Sequence, residues 1–461
     1  MMDFKQLWTF MRIGAAAFVL TLAAGCGGGG DGGGEVETGT VSVLVTDAPT
    51  RDFWSFKVTV SRIELFASDG RRATVKTAES TLDLLRLENF SNLFAHNPEI
   101  PAGEYNKIRL TLKRVELVER RSRRSIFPLL THGFKLDLLP ASPFTVTPGS
   151  RLAVEIDIDA RRSVRWRSGG WRFRPVVFVK VGVEQVSHLV EIRGVVSDIN
   201  PLTDSFRICR VDEGDAGITL TDECMTARLA DASSIFNPDG VQGGINDLVE
   251  TEIVKVVGNL DPANDSVIDV KAVQRDALAA YARIYGTVLS PPDVDSEFDL
   301  TMDADQVAST DPVVAVQLQA GTKVFDGSGT ELDASSIAVD QVAEASGVLA
   351  ASPTDPDKLW AEWVVVTEST PPAAELEVLT GFVLARTAEA VTLFNNDASD
   401  HCVRILPDAD IQVTTESSTG TSTGPGTLED ISLGREVDLY GTTVGDGCFE
   451  AQSVVVFVIA D

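Results

Sequence analysis

Three apolar strands, each interrupted by one glycine at the same place, constrain this chain more than anything else in it. They read "VEIRGVVSDI" from Val190, "ARIYGTVLSP" from Ala282 and "EVLTGFVLAR" from Glu377, which puts Gly194, Gly286 and Gly381 at spacings of 92 and 95 residues. A second glycine closes each unit, in "VVGNL" (Gly258), "ASGVL" (Gly347) and "LYGTT" (Gly441). A turn and a further strand follow each of them: "DVKAVQ", "AEWVVV" and "AQSVVVF". Between the glycines, "SSIF", "TKVF" and "DIQV" fall in matching positions. Several landmarks recurring at one period define a repeat. A period of about 90 residues exceeds a solenoid turn and suits a small closed barrel, in which a glycine within a strand serves a sharp bend or a close backbone approach. Each unit therefore predicts an OB-like barrel of five or six strands. The boundaries are 189–275, 281–367 and 375–461.

Ahead of the repeats the pattern is again β, without helical periodicity. "TVSVLVTD", "SFKVTVSRIEL", "NKIRLTL", "RLAVEIDIDA" and "PVVFVKVGVE" alternate apolar and polar residues between Gly, Pro and Asp turns, as half-buried strands do. Two such sheets packed face to face make a β-sandwich, expected here over 39–188. The whole chain is thus expected to be all-β, one N-terminal sandwich followed by three tandem barrels. The front stretch, with "GTVSVLVTDAPTRDFWSFKVTVSRIEL", "LDLLRL", "IPAGEYNKIRLTL", "LAVEIDIDARRSV" and "FRPVVFVKV", resembles the bacterial and archaeal domain-of-unknown-function family numbered forty-three eighty-two. The repeats resemble the domain-of-unknown-function family numbered fifty-six sixty-six, whose members often stand in tandem in exported bacterial proteins. Neither resemblance implies an activity.

The first 25 residues carry Lys5 and Arg12, then an apolar run from Ile13 to Gly25. The run is shorter than the about 20 residues of a membrane-spanning helix and has the make-up of a secretory signal. Ala23-Ala24-Gly25-Cys26 is similar to the bacterial lipoprotein signal. That resemblance implies cleavage before Cys26, lipid attachment to its thiol, and a glycine-rich tether over 26–38. The expected location is the cell envelope, at the outer membrane, with the membrane as a partner through the lipid. Export makes the other four cysteines candidates for disulfides. Pairing within repeats gives Cys209–Cys224 and Cys402–Cys448. There is no CxxC, and the four histidines are scattered, which argues against a zinc site.

Formal net charge is −29, unevenly spread: the front part is Arg-rich and near neutral, the repeats strongly acidic. An acidic surface keeps the repeats soluble and argues against nucleic acid as a partner. No G-x-S-x-G, H-E-x-x-H or P-loop signature is present. The carboxylates most readily brought together are Asp47 in "TDAP" and Asp157 and Asp159 in "EIDIDA". Alternation puts Asp157 and Asp159 on one strand face with Glu155. Oxygen ligation of Ca²⁺, acid/base chemistry and a structural role, with Asp47 fixing a turn and the others bonded to Arg161 and Arg162, are the three readings. "DGSGTELD" at 326–333 echoes a calcium loop but lacks its glutamate, and reads as a hairpin turn.

"RRSVRWRSGGWRFRP" is the other notable stretch. A hairpin turning at Gly169-Gly170 places Arg167 opposite Arg172 and Arg165 opposite Arg174, with Trp166 and Phe173 on the other face. Like charges facing one another need an anion. Three sources are an external polyanion such as an envelope polysaccharide, the chain's own acidic barrels, and solvent ions. Together these readings lead to a lipid-anchored envelope protein with a non-catalytic binding or scaffolding role toward glycan or anionic polymer. The alternative is a hydrolase or accessory enzyme working through the Asp47/Asp159 region.

Overall fold

The computed structural model describes residues 36–460 apart from 49–52, 88, 121, 131–133, 168, 183–188, 215–216, 276–280, 295, 303–311, 351–357, 368–376, 388–390 and 396–399. The leader 1–25, Cys26 and most of the tether lie outside these residues. What is described is nearly all strand, with one four-residue helix, Ala160–Ser163, and a few short 3₁₀ turns.

The front domain is a two-sheet sandwich. One sheet orders Val177–Val181, Arg151–Asp159, Thr38–Ala48 and Phe90–Pro101; the other orders Lys135–Leu138, Gly103–Glu119, Phe53–Ala67 and Arg72–Lys76. Thr38–Ala48 and Arg151–Asp159 run parallel, with Thr46 beside Asp157 and Ala48 beside Asp159. Their inward residues, Val43, Val45, Val154, Ile156 and Ile158, meet Phe56, Val58, Ile63 and Leu110 of the opposite sheet in one core, as alternation requires.

Each repeat closes into a five-stranded barrel with one and the same pairing. In barrel 1, Leu189–Asn200 pairs Ser205–Gly214, which pairs Gly217–Phe236. That strand runs parallel to Asn264–Gln274, which pairs Ile253–Asp261, and the last returns to the first. Barrel 2 repeats the circuit with Tyr281–Val288, Glu297–Met302, Val313–Asp326, Lys358–Thr367 and Val342–Ala350. Barrel 3 does so with Glu377–Arg386, Val391–Asn395, Asp400–Ser417, Phe449–Ile459 and Glu436–Thr443. Each has its own apolar interior.

The closing glycines earn their place sterically. Pairing slips between Ser346 and Gly347 and between Tyr440 and Gly441, where the strand bends to close the barrel. A Cβ on Gly347 would sit 1.9 Å from the Trp360 carbonyl oxygen, and one on Gly441 1.8 Å from that of Glu450. Both cysteine pairs form as expected, Cys209–Cys224 across adjacent strands of barrel 1 and Cys402–Cys448 in barrel 3. The 326–333 segment is a hairpin turn in which Asp326 Oδ1 accepts from the Ser328 and Thr330 amides.

The domains do not stand apart on linkers. Sandwich residues Phe90, Ser91 and Asn92 pair in parallel with Leu189, Val190 and Glu191, making barrel 1 a continuation of one sandwich sheet. Leu136–Leu138 pair in parallel with Thr421–Thr423, making barrel 3 a continuation of the other. Barrel 2 is held by an apolar cluster of Phe90, Leu189, Phe236, Val257, Ala272, Phe325, Trp363 and Val365, which takes residues from the sandwich and two barrels.

Gly441→Ala is expected to destabilise barrel 3 by about 1–3 kcal/mol through overpacking against a carbonyl. Gly445→Ala adds a methyl with nothing within 4 Å and should stay within about 0.5 kcal/mol. Urea unfolding of the two variants checks the difference.

Candidate functional site

Asp157 and Asp159 lie on the outward face of the first sandwich sheet, whereas Asp47, beside Ile158, alternates with the inward Val43 and Val45, so the three do not share one face. Asp47 Oδ1 accepts the Ala160 amide at 2.9 Å, and Asp159 Oδ1 accepts the Arg162 amide at 2.8 Å as the N-cap of the short helix. Asp159 Oδ2 also pairs with Arg162 Nε at 2.9 Å. Asp157 is the different one: burial pushes its carboxyl up to about 6, against the pull of Lys180. Glu155, on the same face, pairs with Lys180 at 3.2 Å and accepts from Ser91. Among the described residues, no group of three or more His, Cys, Asp or Glu is placed to hold a metal ion. Asp47 and Asp159 each commit one oxygen to a backbone amide, and Asp159 commits the other to the Arg162 side chain, an arrangement of the kind the structural reading expects.

The arginine hairpin forms with a different register. Arg165 pairs with Arg172, Trp166 with Trp171 and Arg167 with Gly170. Gly169 takes φ +79 at the tip, so the turn falls one residue earlier than the Gly-Gly pair suggests, and every opposite number shifts. Trp166 and Trp171 share the other face, edge to face at 5.5 Å. Arg174 lies beyond the strand, its amide bonded to the Ser163 carbonyl.

Arg162, Arg165 and Arg174 face barrel 3. Arg174 Nε lies 2.9 Å from Glu416 and its Nη1 3.5 Å from Glu436. Arg165 pairs with Asp438 at 3.6 Å and donates to the Tyr440 hydroxyl. Arg162 donates to Ser453 at 2.6 Å and pairs with Asp410 at 3.3 Å. Val176 and Phe178 of the sandwich close the apolar part of this contact with Tyr440, Val455 and Phe457. Burial raises the Tyr440 hydroxyl, leaving it a neutral partner.

Two further charge clusters escaped the sequence reading. Between barrels 1 and 2, Arg283 pairs with Glu191 at 2.5 Å and with Glu344 at 3.0 Å, and Lys255 approaches Glu191 at 3.7 Å. Burial alone would raise Glu191; the Lys255 and Arg283 charges hold it down at about 2. The signal was present: Glu191 and Arg283 stand three residues before Gly194 and Gly286, and Lys255 and Glu344 three before Gly258 and Gly347. Equivalent positions on two repeats carry opposite charges. Nearby, Gln274 of barrel 1 donates to Glu362 of barrel 2, both fully buried. Burial pushes Glu362 up to about 8. Between the sandwich and barrel 1, Lys76, Arg210, Asp212 and Glu223 form the second cluster, with Lys76 Nζ 2.7 Å from both Asp212 oxygens.

Residues 38–175 match the family model described as Domain of unknown function (DUF4382). The match covers most of the sandwich, stopping before Val177–Val181, and less than a third of the chain. No curated protein matches. Among solved structures, a deletion mutant of the single-stranded DNA binding protein from Thermus aquaticus is similar at 10% identity and TM-score 0.12, over 39% of this chain and 91% of that one. Drosophila Unr CSD456 is similar at 11% identity and TM-score 0.17, over 58% and 94%. A multidomain protein with nucleic acid binding domains from Streptococcus pneumoniae is similar at 10% identity and TM-score 0.11, over 58% and 73%.

The partner expectations are corrected by these findings. The exclusion of nucleic acid is withdrawn, because nucleic-acid-binding proteins are among the similar structures; at such TM-scores they assign no function to this chain. Neither membrane attachment through lipid nor an envelope polysaccharide has a counterpart in any comparison. The anion facing Arg165 and Arg174 is the acidic barrel 3, for a physical reason: guanidinium groups drawn largely out of solvent require carboxylates at contact distance, and the chain supplies them.

Two measurements follow. Arg174→Ala removes the guanidinium that pairs with Glu416, 2% exposed, and with Glu436, and should cost about 3–5 kcal/mol in chemical unfolding, whereas Arg174→Met with Glu416→Leu should recover most of it. Glu362, with a folded pKa raised to about 8 from 4.5, contributes stability that is full below about 4.5 and is lost as pH rises through about 8. Glu362→Gln should remove that part of the decline between pH 5 and pH 9 in thermal unfolding.

Proposed function

We propose that the chain is a non-catalytic scaffold of an exported, oxidising compartment, the cell envelope, and that it works as one rigid body rather than as independently swinging modules. The observation that carries this reading is the pair of sheets that run through domain boundaries, Phe90–Asn92 into Leu189–Glu191 and Leu136–Leu138 into Thr421–Thr423. Main-chain pairing fixes distance and direction together, which a side-chain contact does not. The buried ion clusters on either side restrict each barrel to one docked position. Two disulfides support an oxidising location, and the expected leader at 1–25 points the same way. The carboxylates of the hydrolase alternative, Asp47 and Asp159, are bonded to backbone amides, so the scaffold reading uses them as structure.

A rigid scaffold holds whatever its surfaces contact at fixed separations. Small-angle scattering tests this directly. The distribution of interatomic distances should match a single folded body and stay unchanged between low and high salt. A broad distribution that widens with salt, as screened inter-domain contacts would give, sinks the proposal. The same two-salt comparison on a Gly424→Val variant, whose added side chain meets Leu139 at the barrel 3 junction, should show the widening that the wild type lacks.

A further inference from the structure

The Lys76 cluster is more than another ion pair, because of how completely its reactive groups are enclosed. Lys76 ends the sandwich strand Arg72–Lys76, and Asp212 lies on the barrel 1 strand Ser205–Gly214. Their side chains are 0% and 1% exposed, and the ammonium nitrogen is 2.7 Å from each carboxylate oxygen. The Phe94 ring lies 5.4 Å from that nitrogen. Arg210 Nη1 and Nη2 both donate to Asp212, the second at 3.2 Å, while its Nε holds Glu223 at 2.7 Å. Glu223 is in turn fixed by the His96 amide at 2.9 Å.

We propose that Lys76 and Asp212 condense to an intramolecular isopeptide bond that joins the sandwich covalently to barrel 1. The amine and the carboxyl group are held in contact and enclosed from solvent, the arrangement that gives intramolecular reactions effective molarities on the order of 10⁵ M or more. Burial and the Arg210 charge push the Lys76 ammonium down, toward the free amine that attacks. Burial alone would raise Asp212, and the Arg210 and Lys76 hydrogen bonds hold it low. The attack requires one proton to pass from Nζ to the carboxylate within the pair, so that a free amine meets a neutral carboxyl. The Arg210 fork then faces the oxygen on which negative charge develops in the tetrahedral intermediate.

The step balances without a co-reactant. The Nζ–Cγ bond forms, one Cγ–O bond breaks, and the oxygen leaves as water with two of the three ammonium hydrogens. One positive and one negative charge disappear from an enclosed cluster, and Arg210 and Glu223 remain paired. That relieves a desolvation penalty which a buried ion pair otherwise carries for the life of the fold. This inference does not rest on the scaffold reading: a covalent bond is read from mass whether or not the domains move.

The test is the intact mass of the full disulfide-bonded chain, measured after denaturation and reduction. The expected result is a mass about 18 Da, one water, below that of the same processed chain unmodified, with a branched tryptic peptide joining Lys76 to Asp212. Lys76→Arg and Asp212→Ala should each restore the full mass. Asp212→Asn should lose about 17 Da instead, since ammonia is then the leaving group. An unmodified mass in wild-type protein that unfolds cooperatively overturns the proposal and makes the cluster an ion pair only.

Discussion

The three parallel backbone pairs that join Phe90–Asn92 to Leu189–Glu191 are the contact on which the remaining architecture depends. Phe90 and Leu189 face each other there and form the floor of the apolar cluster that receives barrel 2 through Phe325, Trp363 and Val365. Glu191, the last residue of the pairing, is the carboxylate that engages Arg283 of barrel 2. One short ladder thus sets the sheet continuity, the apolar contact and the charge contact of three domains. Displacing its register by one residue would turn Glu191 into the barrel interior and a core residue outward, since side chains alternate along a strand.

The uneven charge of the chain becomes intelligible against this frame. The sandwich contributes Lys76, Arg162, Arg165 and Arg174 to its contacts with the barrels, and the barrels contribute Asp212, Glu416, Glu436 and Asp438. These groups are mostly enclosed, so their value lies less in net stabilisation than in the cost of any arrangement that leaves one unpaired. Hydrophobic burial supplies the drive for packing, while the charges penalise the wrong docking. Arginine suits this task better than lysine because its planar fork satisfies two acceptors at once, as Arg174 does with Glu416 and Glu436.

Legibility followed the range of the interactions. The three barrels were readable because each depends on local features, alternation and a glycine that leaves room for a neighbouring carbonyl, as at Gly347 and Gly441. Pairing of Cys209 with Cys224 and of Cys402 with Cys448 was readable for the same reason, each bond lying within one repeat. The hairpin register was misplaced by the second glycine of Gly169-Gly170, because only Gly169 needs the left-handed conformation and Gly170 is an ordinary strand residue. The roles of Asp47 and Asp159 required knowing that Thr38–Ala48 runs parallel to Arg151–Asp159, which brings Asp47 to the amide of Ala160. That pairing spans more than a hundred residues, and no local pattern encodes it.

The repeats also show how one barrel design acquires three different partners. Val257, Ser346 and Tyr440 occupy equivalent places just before the closing glycine, and Ala272, Trp363 and Ser453 are the residues paired beside them in the three barrels. In barrels 1 and 2 this face meets its counterpart, whereas in barrel 3 it meets Arg165, Val176 and Phe178 of the sandwich. Equivalent charges decide which. A barrel 1 face paired with a copy of itself would set Glu191 against Glu191, and a barrel 2 face would set Arg283 against Arg283. Only the mixed pair places Glu191 on Arg283. Barrel 3 presents Glu416, Glu436 and Asp438 at its contact, so neither its own copy nor an acidic neighbour fits, and a sandwich face bearing Arg165 and Arg174 does. Specificity here arises from like-charge exclusion acting on nearly equal surfaces, and it directs each barrel to a different site on the same body.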